Sequence, residues 1–365
     1  MRNRFLALQP IKILGALTVA LILASCARDV VPRETLVRPV GNPVKIEAPL
    51  GLPPVPIPSD NPPTVRTIAL GRKLFYDARL SQGNAISCAS CHNPALAFSD
   101  PRPRSSGVGG KLGTRNAPSV LNAAYFTTEF WDGRVPSLEE QALGPMANPV
   151  EMNQAHDVSV RKIDSDPAYR REFAQAFGPG PVTVAKITMA LASFERTLLS
   201  GDSPFDRYEY GGDKHAISAA AIRGLEVFRD KNKGNCAACH TVGEKYALFS
   251  DNKFHNLGVG LDSEGDIIDP GRYAATQSEA DRGSFRTPTL RNVALTGPYM
   301  HDGSEKTLKE VVDFYVGGGS SNPYLDKEIK PLNLTSRERS DLVEFLKALT
   351  GNMPPNSGPE AIASR

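Results

Sequence analysis

The chain has 365 residues, 40% of them hydrophobic and 22% charged, a globular composition with length for two domains of ordinary size. Lys and Arg number 42 against 40 Asp and Glu, a formal net charge of +2 that gives no electrostatic case for a nucleic-acid partner.

At the start, Arg2, Arg4 and Lys12 precede the apolar run from Ile13 to Ala24, the pattern of an export signal over residues 1–25. The run is too short to cross a bilayer, which takes about 20 apolar residues. Leu23-Ala24-Ser25-Cys26 resembles a bacterial lipoprotein cleavage box, with Cys26 as the acylated residue; an ordinary signal with an incidental cysteine is the alternative. The expectation is a periplasmic protein, lipid-anchored to a bacterial membrane by more than one acyl chain. Removal of residues 1–25 leaves 39 basic against 40 acidic groups, a charge of −1.

Residues 26–64 are rich in proline, including "LPPVPIPSDNPP" at 52–63, and read as an extended tether with little packed structure before about Pro58. From Val65 the apolar positions Ile68, Leu70, Leu74 and Phe75 predict a helix, and a loop then leads to Cys88-Ala-Ser-Cys91-His92. Ile187, Leu191, Phe194 and Leu198 predict a core helix over 184–199. The segment "AIRGLEVFRD" at 221–230 predicts a further helix ahead of Cys236-Ala-Ala-Cys239-His240. Gly71 with Phe75 and Gly224 with Phe228 repeat one spacing ahead of each motif, so the halves look like a duplicated module. Near the end, Thr335 and Glu338 form a capping box for a helix with the stripe Leu342, Phe345, Leu346 and Leu349. Strand-like alternation is nearly absent.

Apart from Cys26, the four cysteines all lie in the two CxxCH units. A disulfide has no need of the histidine that follows each unit, whereas a covalent c-type haem needs two thiols for its vinyl groups and a histidine for its iron. Zinc and redox CxxC sites are the rivals. The expected fold is mostly α, with two cytochrome c-like domains at 65–213 and 214–350, each holding one covalent c-type haem, long loops, and a tail at 351–365.

The stretches "LGRKLFYDARLS", "RNAPSVLNA", "FWDGR", "EQALGPMANPVEM", "FHNLGVG", "RTPTLRNVALTGPYMHDGS" and "DFYVGGG" resemble the bacterial di-haem cytochrome c peroxidases and their MauG-like relatives, from about Leu52 to Leu349. The resemblance implies a peroxide site at the first haem, with His92 on its iron, and a higher-potential relay at the second, with His240. It also implies that Glu151 is the distal acid/base, that Gln141 is an amide lining the same pocket, and that Trp131 is an aromatic residue between the haems. A lone tryptophan is otherwise more often core. By the same resemblance, Asn116 through its side chain and Thr296 and Pro298 through their carbonyls hold calcium.

Two departures bear on the chemistry. Many family peroxidases carry a distal histidine after the first motif, and "SSGVGGKLGTRNAP" at 105–118 has none, so the first haem is expected to be open without reductive activation. For the second haem, peroxidases use methionine and MauG-like proteins tyrosine; Tyr315 is the matching residue and Met300 the rival ligand. Leu308, Val311, Val312 and Tyr315 have helical spacing, which a packing tyrosine would share. Of the other histidines, His255 and His301 fall in family motifs near the haem edges, and His156 and His215 read as surface residues.

Three functions follow. The first is a peroxidase reducing hydrogen peroxide with electrons from a small cytochrome c or copper protein. The second is a MauG-like oxidase acting on residues of a partner protein, against which stands the lack of a tryptophan beside "KNKGNCAACH". The third is a non-catalytic electron carrier. A homodimer is common in the family.

Overall fold

The computed structural model describes residues 37–359. The predicted export signal, Cys26 and the last residues of the tail lie outside the described residues.

Helix α1 (Val65–Phe75) starts at Thr64, which forms a reciprocal capping box with Thr67, and it buries Leu70, Leu74 and Phe75. A long loop of short 3-10 turns carries the first CxxCH motif to α2 (Leu138–Ala147), and α3 (His156–Asp164) and α4 (Pro167–Phe177) follow. Helix α5 (Val184–Glu195) is buried from Lys186 onward. It stops at Arg196, short of the predicted end, yet Leu198 and Leu199 remain buried in the following loop. Helix α6 (Pro204–Glu209) precedes the second half, which contains α7 (Ala219–Arg229), the single turn α8 (Tyr273–Thr276), α9 (Leu308–Gly317) and α10 (Ser336–Lys347). Helix α10 opens on the expected Thr335–Glu338 capping box and buries Leu342, Phe345 and Leu346; Leu349 is buried just beyond it. One two-residue antiparallel pair, β1 (Phe254–His255) with β2 (Phe285–Arg286), is the sheet among the described residues. The fold is mostly α, as expected.

The halves repeat one packing scheme. A Cβ on Gly71 would stand 1.8 Å from the Ala190 carbonyl oxygen, and one on Gly224 2.0 Å from that of Asp341. Glycine therefore lets α1 cross α5, and α7 cross α10, at backbone contact. Beneath each crossing lies an aromatic trio in edge-on or tilted contact: Phe75 with Phe98 and Phe194, and Phe228 with Phe249 and Phe345.

The repetition continues at a constant spacing of 170 positions. Asn122 and Asn292 both take left-handed backbone ahead of 3-10 turns, Phe130 and Met300 both have positive φ, and the bridges Glu129–Val135 and Tyr299–Glu305 match. Helices α2 and α9 begin and end at the same spacing. In this register Met300 corresponds to Phe130, His301 to Trp131, and Tyr315 to Pro145.

The tether expectation is corrected for residues 37–64, which pack as a strap across the body. Leu52 is buried with Tyr125 and Leu199. Val40 N donates to Ala176 O at 2.7 Å, Ala247 N to Gly51 O at 3.1 Å, and the Tyr125 hydroxyl to Pro53 O at 2.8 Å. Asn61 Nδ2 donates to Glu139 Oε1 at 2.6 Å and to Met189 O at 3.0 Å. The reason is chemical: proline deletes a donor and keeps its carbonyl, so a proline-rich segment can dock through carbonyls such as Gly51 O and Pro53 O, while its other residues, Val40 and Asn61, still donate to the body.

Candidate active site

Each motif folds as a 3-10 turn, Cys88–Ser90 and Cys236–Ala238, with the histidine closing it: His92 N donates to Cys88 O at 3.0 Å and His240 N to Cys236 O at 2.9 Å. No disulfide joins the four cysteines of these motifs. The histidine rings are oriented alike. His92 Nδ1 faces Phe98 O at 3.3 Å and His240 Nδ1 faces Phe249 O at 2.9 Å. A carbonyl can only accept, so Nδ1 carries the proton and Nε2 keeps its lone pair, the form that ligates a metal. Burial lowers both imidazoles below their ordinary value, which favours the same neutral form. Paired thiols beside such an imidazole fit a c-type haem in each half.

Beside the second motif opens a cavity of ≈ 250 Å³, lined by Cys236, Cys239, His240, Met300 and Tyr315, with Leu342 and Leu346 of α10. The structure thus brings both candidate sixth ligands to one space. The Tyr315 hydroxyl makes no hydrogen bond among the described residues, and burial raises it well above the ordinary phenol value. From the first half, Asn116 and Trp131 reach the same cavity, together with Thr296 and Pro298. Trp131 Nε1 donates to Asn116 O at 2.9 Å, and its own carbonyl accepts from Arg286 N, which fixes the indole at the junction. Asn116 Nδ2 donates to Arg102 O at 3.1 Å. That bond leaves Asn116 Oδ1 as the hard oxygen donor that calcium would require.

In the first half, Glu151 follows α2 and lies close enough to Cys91 to act on its thiol electrostatically. Its Oε1 accepts from Asn148 Nδ2 at 2.7 Å. Burial raises its carboxyl above the usual range, against the opposing effects of Asn148 and the Arg134 charge. Gln141 is half-buried on α2, and no hydrogen bond among the described residues joins it to Glu151. Glu195, at the end of α5, is buried near Cys88 and is raised to about 8 by burial and by the neighbouring Glu129.

His301 is buried and stacked on Phe285, ring centroids 3.6 Å apart, and lines the cavity. His255 sits between two carboxylates, Nδ1 at 2.6 Å from Asp326 and Nε2 at 3.1 Å from Asp251. His215 is exposed, whereas His156 is not a free surface residue: its Nε2 bonds Leu143 O at 2.9 Å and ties α3 to α2. Sequence reasoning missed Asn148, Glu195 and Glu129; only Asn148, inside "ANPVEM", carried a local signal.

The family model for di-haem cytochrome c peroxidase matches residues 65–215, and that for cytochrome c matches residues 221–350. The chain is 44% identical over 296 residues to the methylamine utilization protein MauG of Methylorubrum extorquens, covering 81% of each chain. It is 39% identical over 335 residues to the cytochrome-c peroxidase IdrP1 of Denitromonas iodatirespirans, covering 84% of this chain and 87% of the relative. Among solved structures, a MauG-like protein associated with microbial copper homeostasis superposes with a TM-score of 0.76 at 35% identity, over 84% of this chain and 95% of the other.

Proposed function

The chain belongs to the di-haem cytochrome c peroxidase family, which includes MauG, and from that membership we propose that it reduces hydrogen peroxide to water at the first haem site. It is an oxidoreductase with two c-type haems, attached at Cys88 and Cys91 and at Cys236 and Cys239. The observation that carries the reading is an asymmetry between equivalent positions. The second half presents Met300 and Tyr315 to its cavity, and the first half has Phe130 and Pro145 in those places, neither with an atom that can bind iron. With no histidine at 105–118 either, an iron held by His92 would be left a place for peroxide, with Glu151, close to Cys91, on hand for proton transfer.

A haem on His92, when bound, supplies a redox-active iron that accepts oxidant. Glu151 does the proton work: its carboxylate takes a proton from one peroxide oxygen and returns it to the other, which leaves as water, and two further protons with two electrons from the donor turn the remaining oxygen into the second water. Gln141 orients the oxidant from α2. Trp131 carries charge between the halves. His240 and Tyr315 would hold the second iron, since the half-buried Tyr315 hydroxyl lines the cavity with no hydrogen-bond partner among the described residues and so has an oxygen available to a metal. Asn116, Thr296 and Pro298 would hold calcium at the junction.

The donor is a small cytochrome c or copper protein in the periplasm, where Cys26 anchors the chain to a membrane by lipid, with a homodimer as a further expectation. The second reading, a MauG-like oxidase that withdraws electrons from a partner protein, is favoured by Tyr315, by the missing histidine at 105–118 and by the similarity to MauG.

Glu151→Gln tests the site: peroxide consumption by the haem-loaded protein should fall by about 10²–10⁴-fold with both haems retained. Parental turnover in that variant would end the proposal. Peroxide added to the oxidised protein, with and without reduced cytochrome c, separates the readings: steady turnover marks the peroxidase, and a long-lived oxidised state marks the MauG-like oxidase.

A further inference from the structure

Glu151 is held from two sides. Val108 N donates to its carbonyl at 2.8 Å, and its own N–H donates to Asn148 O at 3.0 Å. Gly107, beside Val108, packs so tightly that a Cβ there would stand 2.2 Å from Val150 O. The carboxylate itself is gripped by Asn148, the C-cap residue of α2, whose Nδ2 donates to Glu151 Oε1 at 2.7 Å.

The orientation of that amide follows from its other end. Asn148 Oδ1 accepts from Val150 N at 3.1 Å, and only the oxygen of the amide can accept from a backbone N–H. The nitrogen must therefore face Glu151, where it can only donate. We propose that Asn148 is the positioning residue for the peroxide-site acid/base: it keeps Glu151 Oε1 occupied as an acceptor, so that the travelling proton is handled at Oε2 alone.

The inference rests on the reading of Glu151 as the acid/base. The groups facing Glu151 are Arg134 from the loop ahead of α2, Cys91 from the first motif and the Asn148 amide. Arg134 is stacked on Phe130 and paired with Asp132, so it favours the carboxylate only at a distance. Asn148 is the direct donor.

Asn148→Asp discriminates, because an aspartate keeps an acceptor for Val150 N and replaces the donor facing Glu151 with a second carboxylate. Two carboxylates in contact cannot both ionise easily, so Glu151 should hold its proton to higher pH. The measurement is the rate of peroxide reaction of the haem-loaded protein from pH 5 to 9. In Asn148→Asp the acid limb should move up by at least 1 unit, so that the rate on that limb falls by roughly tenfold and recovers toward the parental rate at high pH. Asn148→Ser, which loses the donor without adding charge, should shift the limb in the same direction by less, and it serves if the aspartate variant fails to fold.

Profiles that overlay the parent's, in a protein whose Glu151→Gln variant is inactive, overturn the role of Asn148 alone. A Glu151→Gln variant with parental turnover overturns the role of Glu151 and this inference with it.

Discussion

Replacing Arg291 by methionine should cost more stability than any surface change in the molecule. Its side chain is 1% exposed, and its partner Asp206 is 0% exposed. Nη1 and Nη2 grip the two Asp206 oxygens at 2.8 and 2.9 Å, Nε donates to Ala247 O at 2.7 Å and Nη2 to Gly51 O at 2.5 Å. The guanidinium thus joins three segments: the strap, α6 and the loop after the second motif. Without it, Asp206 keeps, among the described residues, only Ser203 N and Ser203 Oγ as donors for an enclosed charge. Breaking a buried pair from one side costs about 3–5 kcal/mol, most of it the orphaned charge. Guanidinium unfolding of the haem-loaded protein, followed by far-UV circular dichroism, should show the midpoint falling with little change in slope. Removing both charges in Arg291→Met/Asp206→Leu should cost at least about 2 kcal/mol less than the sum of the single variants. A single-variant loss below about 1 kcal/mol, or strict additivity, would refute the argument.

Other substitutions probe separate links. Trp131→Phe deletes the donor to Asn116 O, so it should slow electron transfer between the haems in flash or stopped-flow experiments and cost about 1 kcal/mol, with both haems attached; unchanged transfer removes Trp131 from the path. Gly71→Ala and Gly224→Ala should each destabilise by about 1–3 kcal/mol, because the added methyl meets a backbone carbonyl of the crossing helix, and a neutral result in thermal melts would contradict the packing. Glu195 has a folded-state value of about 8 against 4.5 for the free side chain. Its ionisation therefore costs stability as pH rises from 4.5 through about 8, and the cost is constant above. Glu195→Gln should match the parent at pH 4 and exceed it at pH 8 by up to about 4 kcal/mol; an equal difference at both pH values would sink this reading.

What could be read from the sequence was local. Helices α1, α5, α7 and α10 follow from apolar spacing and caps, and the haem motifs from cysteine economy, because each signal lies within a few turns of chain. The junction was not readable in that way. Arg291 and Asp206 are 85 positions apart, and nothing near either announces the other. The strap misled because proline content reports missing donors and says nothing of which carbonyls will be used. The spacing of 170 was visible in principle, with "FWDG" at 130–133 and "MHDG" at 300–303, yet it gained meaning only once the paired left-handed residues and matched helices were seen.

The strap also sets where the protein may be cut. Similarity to the peroxidase family model begins at residue 65, an inviting place to start a shortened gene for expression. A polypeptide starting there would leave the Arg291 guanidinium short of one acceptor and the Tyr125 hydroxyl and Ala247 N–H without theirs, and it would uncover the face on which Leu52 sits. Its solubility and haem loading would then report on a missing piece of the body, and poor yield from such a gene would say nothing against the enzyme.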